Sequence, residues 1–157
     1  MTEPAACSRG SQPDLQRFLD AQNEYCAYEN ALREINSGKK YGHWIWFIFP
    51  QITGLGHSYE SHCFAIASIE EARAYLQHPV LGPRLMEISE ALLRQSGSAY
   101  SILGRPDDLK VRSCMTLFQQ ADPSIAVFQQ VLDKFYQGKA DQDSLRILEK
   151  QQETFSI

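Results

Sequence analysis

From His43 to Phe49 the chain reads HWIWFIF, a run with no polar face at either helical or strand spacing. Such a segment has to be buried on most sides whatever it forms, so it is expected to be the central core element. As a helix it would set His43, Trp46 and Phe47 on one face and Trp44 and Ile48 on another; as a strand it would group His43, Ile45, Phe47 and Phe49. Pro50 ends either form. A short helix is favoured, because no second strand of comparable strength is available to pair with it.

The flanks carry helical signals throughout. Leu15, Phe18 and Leu19 make a stripe starting near Asp14, and Tyr25, Tyr28, Leu32 and Ile35 continue at helical spacing until Gly38, giving one broken helix or two. Residues 59–67, YESHCFAIA, have no clear period. Ser68 to Glu71 is a capping-box pattern opening a helix to Gln77. Pro79 and Pro83 introduce another helix lined by Leu85, Ile88 and Leu92, and a turn of helix, AYSIL, stops at Gly104. Pro106-Asp107-Asp108 opens a helix closed by Asp122-Pro123, Ser124 to Gln137 follows at close to ideal spacing, and Asp141 starts the last one. With no hairpin dipeptides and almost no alternation, the fold is expected to be all-α, a compact multihelical bundle. A chain of 157 residues makes one domain with a sizeable core, expected over residues 13–151 between a disordered tail at 1–12 and a short tail at 152–157.

No window approaches a membrane span and no apolar leader is visible, so a membrane role is not expected. Cys7, Cys26, Cys63 and Cys114 lie far apart without CxxC spacing, which argues against a zinc ribbon or disulfide scaffold and favours a reducing, cytoplasmic setting. A formal net charge of −4 argues against non-specific nucleic-acid binding.

Three groups of residues could carry chemistry. Trp44 and Trp46 are either pure core or core plus the wall of a pocket able to stack a planar ligand, with His43 and Gln51 as hydrogen-bonding groups at its edge. Gly54 and Gly56 are either turn chemistry or backbone that admits a ligand closely. On a helix, Lys110, Ser113 and Cys114 share a face, so an ammonium and a hydroxyl could meet an anion there, with Arg84 a further cation. Cys114 as a nucleophile would need a base that only His43 could supply. His43, if buried beside the aromatic wall, would be held neutral as a general acid/base. The histidine spacing holds no metal motif, so neither a metal nor a cofactor is expected. Asp107-Asp108 is read as helix-start capping, and His78-Pro79 as a helix boundary with a structural histidine.

The strings YENALREINSGKKYGHWIWFIFPQITGLGHS, ARAYLQHPVLGPRL and PDDLKVRSCMTLF resemble a bacterial family of domains of unknown function, number 1810, over about Asp14 to Leu148. The resemblance implies a compact multihelical fold and no particular activity. The label calpastatin sometimes attached to that family does not carry over, because calpastatin inhibitory segments are disordered and this composition is globular. The expectation is a domain binding a small anionic or nucleotide-like ligand, with His43 as general acid/base should it be an enzyme. Its rival is a protein–protein interaction module, marked by a filled interior around both tryptophans and a sizeable exposed apolar patch.

Overall fold

The computed structural model describes residues 14–155. The tail expected over residues 1–12 lies outside them. Ten α-helices follow one another: α1 Gln16–Asn23, α2 Ala27–Ser37, α3 Ile45–Ile48, α4 Tyr59–Cys63, α5 Ile69–Gln77, α6 Leu81–Leu93, α7 Ala99–Leu103, α8 Asp107–Ala121, α9 Ala126–Tyr136 and α10 Gln142–Phe155. The all-α architecture expected from the sequence is what forms. Among the described residues the one piece of β pairing is a parallel bridge between Ile52 and Ile66. The last helix continues to Phe155, beyond the domain end expected at residue 151.

Local chemistry sets most of the helix ends. Ser68 accepts the Glu71 N–H at 3.2 Å and opens α5 where the capping pattern predicts it. His78 accepts the Val80 and Leu81 N–H groups on Nδ1 at 3.1 and 3.2 Å, so the structural histidine caps the start of α6. Gly38, at φ +88°, turns the chain back at the end of α2. No such signal marks the break between α1 and α2: Tyr25 and Cys26 both take left-handed backbone, at φ 53° and 56°.

The organising helix is α8, not the aromatic run. Every residue from Ser113 to Phe118 is buried, and α8 packs against α5, α9, α7, α10 and α3. Its polar residues hide this role in the sequence, but their hydroxyls donate inside the helix, Ser113 Oγ to Leu109 O at 3.2 Å and Thr116 Oγ1 to Arg112 O at 2.8 Å, and Thr116 Oγ1 also accepts the Asp141 N–H at 2.8 Å. A file of rings, Phe18, Tyr75, Phe118 and Phe128, with successive centroids 5.2, 5.3 and 6.0 Å apart, runs through the core from α1 to α9.

The one-turn helix α3 sits at the edge of that core. Trp44, Ile45, Ile48 and Phe49 face inward and are buried, whereas Trp46 and Phe47 are only partly covered and His43 is exposed. The helix begins after Trp44, so His43 is not on it and the expected grouping of His43 with Trp46 does not form.

Candidate functional site

A buried arginine fixes the first wall of the site. Arg17, on α1, donates from Nε to Cys63 O at 2.9 Å and from Nη2 to Ala65 O at 2.7 Å, and pairs with the Glu71 carboxylate at 3.2 Å. Those bonds hold the backbone on both sides of Phe64, whose ring meets Phe47 at 5.5 Å and Phe18 at 5.9 Å. Gln22, also on α1, donates to Phe47 O at 2.9 Å and to the Tyr75 hydroxyl at 3.1 Å. α1 thus positions two of the three aromatic groups that line an open cavity.

The third is Trp44, placed by the reversal at Gly38. That turn lays Tyr41–Trp44 back along α2, where Glu34 Oε1 accepts the N–H groups of Tyr41, Gly42 and the Trp44 indole at 2.7, 2.8 and 3.0 Å. Partial burial pushes the Glu34 carboxyl up, but those three bonds and the Lys40 charge outweigh it and hold it below the usual carboxylate range. Gly42 is needed for this contact. A Cβ there would lie 2.8 Å from Trp44 Cδ1 and 3.3 Å from Glu34 Oε2.

Between these walls lies a cavity of about 510 Å³. Trp44, Phe47 and Phe64 form its aromatic side, and Glu24, Tyr25, Arg33, Glu34 and His43 its polar side. Tyr25, which takes left-handed backbone and is 87% exposed, lies on its rim. Left-handed backbone in a bulky residue costs about 1–3 kcal/mol and recurs where function requires it.

The residues singled out from the sequence are not all gathered here. His43 and Trp44 are, although His43 is exposed and not buried beside the aromatic wall as expected. Trp46, Gln51, Gly54 and Gly56 line a separate crevice of about 10 Å³, room for roughly one water and no larger ligand. Gly56 is held against Ser61, since a Cβ there would be 2.4 Å from Ser61 Oγ. Lys110 lies over the Trp46 ring at 5.1 Å and 3.7 Å from the Asp107 carboxylate, which also takes Lys40 at 2.7 Å. Arg84 bonds Gln22 and Asn23 at 3.1 Å and covers the Tyr28 ring. Ser113 is buried within α8 and Cys114 is wholly enclosed, its thiol pushed well up by burial, which removes it as a nucleophile. The polar residues missed from sequence are Glu24, Tyr25, Arg33 and Glu34. Glu34 had one signal, the turn at Gly38 that folds residues 41–44 back onto α2.

Among the described residues no three His, Cys, Asp or Glu side chains are grouped to hold a metal, and no helix is long and apolar enough to cross a membrane. The family described as "Protein of unknown function (DUF1810)" has a model that matches residues 12–148. The chain belongs to the DUF1810 family. It is similar to the crystal structure of the conserved hypothetical protein Rv1873 from Mycobacterium tuberculosis, with 43% identity and a TM-score of 0.84 over 87% of this chain and 97% of that one. No curated protein matches it significantly. All residues lining the 510 Å³ cavity lie inside the segment matched to the DUF1810 family. A larger groove of about 670 Å³, between α5, α8 and α10, is lined in part by Glu149, Gln151 and Gln152, which lie outside it. The smaller cavity therefore belongs wholly to the family domain.

Proposed function

We propose that this DUF1810 domain binds a small planar ligand, of the nucleobase or nucleoside kind, in the cavity between the α1–α2 break and the His43–Phe47 segment. The observation that carries this is the convergence of Trp44, Phe47 and Phe64 with His43, Glu34 and Arg33 around about 510 Å³, a volume in the usual range for small-molecule sites. Aromatic walls of this kind stack a base for about 1–3 kcal/mol per ring, and the polar groups can meet its edge. A phosphate clamp is not part of the proposal, because Lys40 and Lys110 already serve Asp107 and Arg84 serves Gln22 and Asn23. If the bound molecule is turned over, His43 is the imidazole at hand for proton transfer.

The test is tryptophan fluorescence together with thermal shift against free bases and nucleosides. A ligand at a hundred times its dissociation constant adds about 2.7 kcal/mol of stability. The expected result is a hit that is lost in His43→Ala and in Phe64→Ala; His43 is exposed, so its variant keeps the fold. A hit that survives both substitutions, or no hit in the panel, overturns the proposal.

A further inference from the structure

The electrostatics of the cavity carry the argument one step further, resting on the reading of it as a ligand site. Its charged lining consists of two carboxylates, Glu24 and Glu34, against one guanidinium, Arg33. Arg33 is exposed and turned to Asn30 Oδ1 at 2.8 Å, whereas Glu34 is the more enclosed of the two signs. Among the described residues the bonds to the Glu34 carboxylate fall on Oε1, which takes three N–H groups and has no lone pair left for a fourth. Oε2 takes no hydrogen bond among the described residues. Lys40, whose charge helps hold Glu34 ionised, makes its contacts with Asp107 at 2.7 Å, with Gly42 O and with the Trp44 ring at 4.9 Å, and no ion pair joins it to Glu34 among the described residues. An ionised carboxylate with one open oxygen, set beside aromatic side chains, attracts positive charge twice over, through the carboxylate and through the ring faces.

We propose that the cavity selects an organic cation bearing N–H donors on a planar body, an amidinium, guanidinium or protonated amino-heterocycle, with its donor edge on Glu34 Oε2. This reverses the anionic ligand expected from the sequence, which rested on Lys110, Ser113 and Arg84, none of which lines this cavity.

Three isosteric probes separate charge from shape: benzamidine, benzamide and benzoate, titrated into the intact chain with binding read by tryptophan fluorescence and calorimetry. The expected order is benzamidine first, about tenfold tighter than benzamide, with benzoate weakest, and a gap that narrows as salt is raised. In Glu34→Gln, which keeps an acceptor for the Tyr41, Gly42 and Trp44 N–H groups, the advantage of benzamidine over benzamide is lost. Should that variant fold poorly by circular dichroism, Glu24→Gln replaces it, and the gap there is expected to shrink by about half. Benzoate binding as well as benzamidine, or a preference that persists in both variants, overturns the inference. A nucleoside hit alongside equal binding, or no binding, of the three probes overturns the charge preference alone; no hit with any compound overturns the ligand site as well.

Discussion

Replacing Arg17 by Met removes the bolt that holds the Phe64 wall. The guanidinium is 2% exposed and makes bonds to Cys63 O, Ala65 O and Asp14 O as well as the pair with Glu71, itself 5% exposed. Met fills a similar length but takes the guanidinium away from two buried carbonyls and a buried carboxylate. Breaking one side of a buried pair costs about 3–5 kcal/mol, a large share of a total that is about 5–15 kcal/mol for most domains. For a domain of this size each kcal/mol moves Tm by about 2–4 °C, so Arg17→Met is expected to melt roughly 6–20 °C lower. Urea denaturation of Arg17→Met, Glu71→Gln and the double variant measures the loss and its coupling. Because Glu71 Oε1 also accepts the Ala67 N–H at 2.8 Å, Gln keeps that bond and the double variant is expected to recover about 1–2 kcal/mol of the summed losses. A loss under about 1 kcal/mol for Arg17→Met, or simple additivity, would refute the claim that this pair holds the cavity wall.

Gly82→Ala is expected to destabilise at or beyond the top of the about 1–3 kcal/mol range for overpacking, despite the better helix propensity of Ala, because the new Cβ would sit 2.1 Å from Leu76 O; chemical melts check it. Gly42→Ala is expected to keep the fold yet weaken ligand binding and shift the Trp44 emission, as the methyl presses on the indole and on Glu34. In the native protein a thiol reagent should label exposed Cys26 quickly and buried Cys114 only at the rate of unfolding, read by peptide mapping. Glu34 has a folded pKa below its unfolded value of about 4.3, so its contribution to stability is present above that value and is lost as pH falls through the folded one. The Tm gap between the wild type and Glu34→Gln is therefore expected to close on acidification; a constant gap would contradict the assignment.

Where a structural event is written in neighbouring residues, the sequence showed it. α5 begins at the Ser68 cap, α7 ends at Gly104, and α8 lies between its acidic start and Asp122-Pro123. What was hidden depends on contacts distant in the chain. The left-handed pair at Tyr25-Cys26 has no glycine to announce it; it follows α1, which docks through Gln22 on Phe47 O and Arg84, and Asn30 Nδ2 donates to Tyr25 O at 3.1 Å. The central place of α8 was masked by Ser113 and Thr116, whose hydroxyls donate to carbonyls of their own helix. Helical spacing correctly put Lys110 and Ser113 on nearby positions, but it could not show that one turns to Asp107 and Trp46 and the other inward. Similarly, two tryptophans two residues apart read as one wall, whereas the helix starts between them: Trp44 joins the cavity and Trp46 the narrow crevice.

The two indoles offer the most direct test, because each gives its own N–H signal in a nitrogen–proton correlation spectrum. Titration with a binding nucleoside or with benzamidine is expected to move the Trp44 indole, bonded to Glu34, together with the Tyr41 and Gly42 amides that share that carboxylate. The Trp46 indole, which has no hydrogen-bond partner among the described residues, should stay in place. Shifts centred on Trp46, Gln51 and Gly54, or on Arg73 and Glu149 of the larger groove, would contradict the placement of the site.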